Sequence, residues 1–157
     1  MSNITYFTKE GLKKLNDELQ HLKTKGRAEI AKQIAEARDK GDLSENAEYE
    51  TAKDRQAFND KRISELETKL SSCMVIDPSK VQDKSKLTFG LSFEIEDLDS
   101  GDKKIFQLLG PEESNPDNGS VSIESPLGMA VLGREEGDEF TVRTPAGPKE
   151  YVVNKIF

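Results

Sequence analysis

The stretch Gly41-Asp-Leu-Ser-Glu-Asn-Ala-Glu-Tyr49 decides the fold of this chain, because it separates two long helical patterns and carries three acids. Before it, apolar residues recur at the three- and four-residue steps of a coiled-coil seam: Leu12, Leu15, Leu19 and Leu22, then Ile30, Ile34 and Ala37. After it, the same spacing returns at Ala52, Gln56, Asn59, Ile63, Leu66 and Leu70. The pattern predicts two antiparallel helices of about 40–45 Å at 1.5 Å per residue, with acids at the tip of the hairpin.

The first arm of the hairpin has recognisable ends and one irregularity. Thr8 is an N-cap residue, and Gly41 is predicted to end the helix as a C-cap residue. Between Leu22 and Ile30 the apolar step is eight residues. We therefore expect the heptad phase to break around Gly26.

The second arm has more than one candidate start. Ser44 is one candidate N-cap, and it would place Glu45, Glu48 and Glu50 in the first turns. Gln56 and Asn59 are polar at seam positions, where such residues weaken packing but can set the register. The pair Asp77-Pro78 is predicted to stop the helical pattern.

The second half of the chain has the two-residue period of strands. We predict strands over 87–97, 104–109, 121–123, 139–143 and 150–156, and a short helix over 125–133 with Ser125 as cap and Pro126 at its first position. The predicted fold class is therefore α+β. Residues 1–76 form a coiled-coil hairpin domain with its acidic tip near 41–49, and residues 77–157 form a small antiparallel β-sheet domain with one short helix.

Composition excludes several classes of protein. Among 157 residues, 34% are charged and the net charge is -7, which disfavours bulk binding to duplex nucleic acid. One cysteine, Cys73, and one histidine, His21, cannot build a disulfide framework or a zinc site. No stretch has the length and hydrophobicity of a signal peptide or a membrane span, so we expect a cytosolic protein.

Two parts of the chain resemble one protein family. The string Ala35-Glu-Ala-Arg-Asp-Lys-Gly-Asp-Leu-Ser-Glu-Asn-Ala-Glu-Tyr49 resembles the tip of bacterial transcript cleavage factors of the Gre type. Residues 125–133, with Gly137-Asp138 and Thr144-Pro-Ala-Gly147, resemble the C-terminal domain of that family. Residues 48–56 look more like the GreA type than the GreB type, and the resemblance spans essentially the whole chain.

The resemblance implies a fold and a partner. The family has an N-terminal antiparallel coiled coil and a C-terminal FKBP-like domain. The latter docks at the rim of the secondary channel of RNA polymerase, while the coiled coil enters the channel. The factor then stimulates cleavage of the 3′ end of backtracked nascent RNA. On this basis the protein is not an enzyme on its own.

The resemblance also assigns candidate catalytic residues. Asp42 and Glu45 match the two acids that handle Mg²⁺, which we expect to be shared with the polymerase and not bound by the factor alone. Ser44 and Tyr49 are weaker candidates at the same tip. Taken singly, each has a structural alternative: the acids and Ser44 suit helix ends, and Tyr49 suits packing against Leu43.

Further candidates lie outside the acidic tip. Arg38 and Lys53 match basic positions that the family is thought to use for RNA contact, although both, like Arg55, suit solvated ion pairs with Glu36, Glu50 or Asp54. We prefer the solvated pair for Arg55, and we expect Glu48 to pair with Lys53 or another base one turn on. In the second domain, polymerase docking is assigned to Ser125, Pro126 and Leu127, with packing on the sheet as the alternative.

Three other functions are open to such a chain. A channel-blocking inhibitor of the same architecture would carry altered tip acids, and these acids are intact. A pure interaction module would have another partner. A prolyl isomerase would need a pocket lined by several aromatic residues, and most of those in the second half fall at strand-interior positions: Phe89, Phe93, Phe106, Phe140, Tyr151 and Phe157. We expect a monomer.

Overall fold

The computed structural model describes residues 4–41 and 46–157. The chain divides into two compact units, Met1–Ile4 with Leu12–Cys73 and Thr5–Gly11 with Met74–Phe157. The short N-terminal segment Thr5–Gly11 therefore clusters with the C-terminal half. The assignment of separate roles to residues 1–76 and 77–157 stays a prediction.

The first unit is a helical hairpin, as predicted. Its first arm comprises α1 (Lys9–His21), a π-helical turn (Leu22–Gly26) and α2 (Arg27–Arg38), and its second arm is α3 (Ala47–Ser71). The predicted seam residues supply the buried apolar side chains of both arms: Leu15, Leu19, Ile30, Ile34, Ala37, Ala52, Ile63 and Leu66. Leu12, Leu22, Gln56 and Leu70 are half-buried at the same seam.

The π-helical turn explains how two apolar patterns that differ in phase share one seam. An eight-residue step is one longer than a heptad, so a continuous α-helix would turn Ile30 away from α3. A π-helical turn takes up the extra residue. The carbonyl of Leu22 accepts a bond from Asn59 Nδ2 across the seam at 3.3 Å. At Gly26 a Cβ would lie 3.3 Å from Asn59 Oδ1, so the glycine leaves room for this amide.

The observed helix ends confirm the predicted N-cap of α1 and correct the predicted ends of α2 and α3. Thr8 caps α1, because its Oγ1 accepts a bond from the backbone N–H of Gly11 at 3.2 Å. Gly41 does not end α2, which stops at Arg38. Gly41 lies three residues further on with a φ of +131°, which a residue with a side chain rarely adopts.

The predicted end of α3, at the pair Asp77-Pro78, lies further along the chain than the observed end. The helix stops at Ser71 and the chain enters strand β2 (Cys73–Val75), ahead of the Asp77-Pro78 pair. β2 pairs with the equally short strand β1 (Thr5–Phe7) in a two-stranded sheet that the sequence pattern did not predict. The N–H of Ile76 extends this pairing to the carbonyl of Phe7 at 2.8 Å.

The second unit is built on a five-stranded sheet, as its alternating pattern predicted. The strands are β3 (Ser92–Asp97), β4 (Lys103–Leu109), β5 (Ser120–Ser122), β6 (Glu139–Thr144) and β7 (Gly147–Ile156), in the order β5-β4-β3-β7-β6. Neighbours are antiparallel except β4 and β5, which are parallel. The inward side chains of these strands form the core with Leu87, Leu91 and Val131.

The single short helix of this unit, α4 (Pro126–Val131), begins as predicted. The Oγ of Ser125 accepts a bond from the N–H of Gly128 at 3.0 Å, and Pro126 occupies the first position. Gly128 is required by packing, since a Cβ there would lie 1.7 Å from the carbonyl oxygen of Ser122 on β5. Across residues 4–41 and 46–157, no helix combines the length and hydrophobicity needed to cross a membrane.

Candidate functional site at the hairpin tip

The predicted catalytic residues Asp42, Ser44 and Glu45 lie outside the described residues, as does Leu43. The structure of the described residues therefore tests neither the metal-handling assignment nor the packing of Tyr49 on Leu43. The two helix ends that border this segment are described. They define the frame from which the acids are presented.

Asn46 is the N-cap of the second arm, which decides against the candidate start at Ser44. Its Oδ1 accepts bonds from the N–H groups of Glu48 and Tyr49, both at 3.1 Å. Its Nδ2 donates to the carbonyl of Ala37 on α2 at 2.6 Å. A serine hydroxyl can also accept and donate, but the longer carboxamide of Asn46 carries its donor to the opposite arm.

An ion pair lies beside this amide. Lys40 Nζ and Glu48 Oε2 are 2.8 Å apart, and both side chains are exposed. The hydrogen bond with Glu48, followed by the charge of Glu48, raises the pKa of Lys40 above its ordinary value. The expected partner of Glu48, Lys53, bonds Gln56 Oε1 instead at 2.8 Å. Glu48 therefore links the two arms and does not support its own helix.

One flank of the tip is cationic and aromatic. The guanidinium carbon of Arg38 lies 5.9 Å from the centroid of the Tyr49 ring. Lys53 is one helical turn beyond Tyr49 on the same face of α3. Within residues 4–41 and 46–157, neither Arg38 nor Lys53 is within ion-pair distance of a carboxylate, in contrast to the solvated-pair alternative.

Tyr49 has a structural role that does not depend on Leu43. It is half-buried and packs against the cluster formed by Ile30, Ile34 and Ala52. The ring thus closes the seam near the tip, and its outer face contacts Arg38. Packing is established by these contacts, and a catalytic role for Tyr49 stays a prediction.

The opposite flank of the tip is a groove that sequence patterns did not predict. It encloses about 370 Å³ above an alanine floor of Ala37, Ala47 and Ala52. Arg55, at its rim, donates to Gln33 Oε1 on α2. Lys40, Glu36 and Glu48 also line the rim, so its positive and negative charges balance. Arg55 therefore cross-links the arms and is not one of a cluster of unpaired cations.

The predicted docking residues are presented unequally by α4. Pro126 is exposed, whereas Ser125 is held by the cap and donates to the carbonyl of Ser122 at 2.6 Å. Leu127 is half-buried against the core. Val131 is buried in the core, whereas its apolar neighbours Met129 and Leu132 are exposed by 62% and 46%. Exposed apolar side chains on α4 and at its C-cap are therefore Pro126, Met129 and Leu132.

An apolar cavity of about 330 Å³ lies within the second unit. Its lining includes Tyr6, Val81, Phe89 and Leu132. The rings of Tyr6 and Phe89 are 5.8 Å apart, centroid to centroid. Two of the aromatics considered for an isomerase pocket, Phe93 and Phe140, are buried in the core instead.

No group of three or more potential metal ligands occurs in the described ranges 4–41 and 46–157. The tip is thus a frame with one cationic flank and one balanced flank. In the sequence, the two acids Asp42 and Glu45 lie between these flanking helices, and carboxylate oxygens are the ligand type that Mg²⁺ prefers.

Comparison with known proteins identifies the family over both units. The family model described as Transcription elongation factor, N-terminal matches residues 5–75, and the one described as Transcription elongation factor, GreA/GreB, C-term matches residues 82–157. The transcription elongation factor GreA of Ralstonia nicotianae is 47% identical over 149 residues, which cover 95% of this chain and 94% of that protein. GreA of Methylococcus capsulatus is 43% identical over 154 residues, 98% of each chain.

A solved structure is similar at lower identity. The GreA factor homolog 1 (Gfh1) protein of Thermus thermophilus is 29% identical, with 99% of each chain covered and a TM-score of 0.45. The two family matches together include the hairpin arms and all five strands of the larger sheet. The chain belongs to the GreA/GreB family of transcription elongation factors.

Proposed function

We propose that this protein is a transcript cleavage factor that acts on RNA polymerase. It inserts the hairpin tip into the secondary channel and stimulates endonucleolytic cleavage of the 3′ end of backtracked nascent RNA, which rescues arrested complexes. The observation that carries the proposal is the acidic motif 41–49 between the two arms of a hairpin in a GreA/GreB family chain. A narrow tip bearing carboxylates suits a site whose other ligands belong to the partner.

In this proposal the factor completes a catalytic site and does not contain one. Asp42 and Glu45 supply carboxylate oxygens, which suit a weakly held Mg²⁺ that keeps waters and takes its remaining ligands from the polymerase. An ion held there by Asp42 and Glu45 would supply a more acidic bound water for attack on a phosphate. The contribution of this chain is to carry two charges to that point on a rigid support.

The cationic flank is the proposed contact surface for extruded RNA. Arg38 and Lys53 have no carboxylate partner among residues 4–41 and 46–157, so their charges are available to phosphates. Arg38→Gln with Lys53→Gln should slow cleavage, most at low salt, because the attraction is screened as salt rises. If the double variant lost the same fraction of the cleavage rate at low and at high salt, this role would be contradicted.

Docking is assigned to the second unit. Pro126, with its exposed neighbours Met129 and Leu132, offers an apolar contact, while Ser125 and Leu127 hold the helix that presents it. Such a factor works beside transcribing polymerase in the bacterial cytoplasm. One copy fills one channel, so a monomer is the proposed active form.

The test is cleavage in a halted, backtracked elongation complex with 3′-labelled RNA. Wild type with Mg²⁺ should release short 3′ fragments. Asp42→Asn and Glu45→Gln should abolish release and still bind polymerase. Glu29→Gln, which removes an exposed acid from α2, is the matched control and should cleave like wild type.

Other outcomes assign other functions. Slowed nucleotide addition without cleavage would mean a channel-blocking inhibitor. Absence of polymerase binding would leave an interaction module for another partner. Loss of binding in the two tip variants would refute the metal-handling role of the acids.

A further inference from the structure

The carboxamide of Asn46 joins the two helix ends that border residues 42–45. Its Oδ1 accepts two N–H groups of the first turn of α3, and its Nδ2 donates to the carbonyl of Ala37 at 2.6 Å. Helix ends leave such groups without partners inside the helix. One planar side chain therefore caps the start of α3 and is a second donor to the carbonyl of Ala37, which also accepts the N–H of Lys40 at 3.2 Å.

Capping alone does not account for this arrangement. Asparagine, aspartate and serine cap helices about equally well, but of these only asparagine also carries an amide donor. Its acceptor is well held, because Ala37 is 1% exposed in the seam. The donor thus reaches α2 where packing already restrains the backbone.

The neighbouring ion pair is the weaker of the two links. Lys40 and Glu48 span the same helix ends, but both side chains are exposed by more than half. Exposed pairs are screened by water and salt and contribute little. Of these two links, the half-buried bond from Asn46 to Ala37 is consequently the one that restrains the helix ends at the tip more strongly.

We propose that Asn46 is a positioning residue for RNA cleavage, which holds the ends of α2 and α3 at a set separation and so fixes both ends of the segment that carries Asp42 and Glu45. The inference rests on the proposed function. A displacement of about 1 Å in a reacting group can cost on the order of 100-fold in rate. Asn46 therefore affects the rate without touching RNA or metal.

Two substitutions separate this link from the cap. Asn46→Ser and Asn46→Asp keep a capping oxygen and remove the donor to Ala37. Both should lower the cleavage rate at saturating factor at least tenfold, while the factor concentration for half-maximal effect and the thermal midpoint stay close to wild type. Asn46→Ser adds no charge and is therefore the control for Asn46→Asp, so the two variants should lose cleavage to a similar extent.

A covalent tie distinguishes positioning from direct contact with the substrate. In a Cys73→Ser background, Lys40→Cys and Glu48→Cys can be joined by a short bis-maleimide across the positions that form the ion pair. The tie should restore cleavage to Asn46→Ser at least fivefold over the untied protein. Failure of the tie to restore cleavage would overturn positioning, and so would unchanged cleavage in Asn46→Ser.

The link can also be measured without polymerase. By NMR, one side-chain amide proton of Asn46 should exchange with solvent at least tenfold more slowly than those of the exposed Asn16. Rapid exchange at Asn46 would overturn the proposal. If wild type releases no RNA fragments but this proton is protected, then the proposed function has failed and the link between the arms has not.

Discussion

Gly11→Ala should destabilise the second unit, although the same change in most helices is stabilising. Gly11 is the third residue of α1, and the carboxylate of Glu113 lies directly on it: a Cβ would be 2.0 Å from Glu113 Cδ and 2.1 Å from Oε1. That carboxylate accepts a bond from the N–H of Thr8 at 2.9 Å and another from the Thr8 hydroxyl. Thr8 is buried, so water cannot readily replace the carboxylate.

The magnitude follows from what the added methyl displaces. An alanine in place of glycine gains about 1 kcal/mol at most from helix propensity. Moving Glu113 away loses two hydrogen bonds to a charged group, each worth about 1.5–3 kcal/mol. The expected net loss is therefore about 2–5 kcal/mol in the free energy of unfolding.

A double-mutant cycle with Glu113→Ala tests this reasoning. The free energy of unfolding can be measured by urea denaturation, followed by circular dichroism because the chain has no tryptophan. Gly11→Ala should be destabilising in wild type but neutral or stabilising when residue 113 is alanine, since the methyl then meets no carboxylate. Equal effects in the two backgrounds, or stabilisation of wild type, would refute the account.

Three further predictions concern other close contacts. Gly128→Ala should destabilise the second unit by about 3 kcal/mol, because the new Cβ collides with the backbone of Ser122 and not with a movable side chain; urea denaturation measures this loss, and a change below about 1 kcal/mol contradicts it. Asn59→Leu should change the free energy of unfolding of the hairpin by less than about 1 kcal/mol. Asn59→Asp should cost about 3 kcal/mol or more, because it places a buried carboxylate beside the carbonyl of Leu22. Thermal unfolding compares the two variants, and equal midpoints would contradict the contact. The pKa of Lys40 is raised in the folded state, so the contribution of its pair with Glu48 to stability is complete below pH 10.5 and disappears as pH rises through the folded pKa. Glu48→Gln should return the pKa of Lys40 toward its ordinary value in an NMR titration. An unchanged pKa would exclude Glu48 as the cause.

The hairpin was predictable because its signal is long and periodic. Seam spacing identified the buried residues of both arms, and the eight-residue step marked the region where the π-helical turn occurs. The kind of turn was not predictable. An extra residue can be absorbed in several ways, and the choice depends on Asn59, which lies 37 residues away in sequence.

The start of α3 was not predictable for a related reason. Ser44 and Asn46 are both good N-cap residues, so local preference does not separate them. The carbonyl of Ala37 on the other arm favours the carboxamide of Asn46. Strands β1 and β2 were missed because three residues contain no usable period, and only pairing between distant segments identifies them.

The tip motif contains residues that close the hairpin as well as the two proposed metal-handling acids. A motif match alone therefore does not assign a role to each of its residues. Asn46, Glu48 and Tyr49 each have a structural partner: the end of α2, Lys40, and the apolar cluster of the seam. Their presence is accounted for by closure of the hairpin. Within residues 4–41 and 46–157, Arg38 and Lys53 have no carboxylate partner, and a hairpin built for stability alone does not need such cations beside its tip. They are therefore the described residues that best support the proposal of a polyanionic partner. The proposed function gives each group a separate task, because cations suit the phosphates of a substrate and carboxylates suit a metal ion, and substitutions in either group test its task independently of the other.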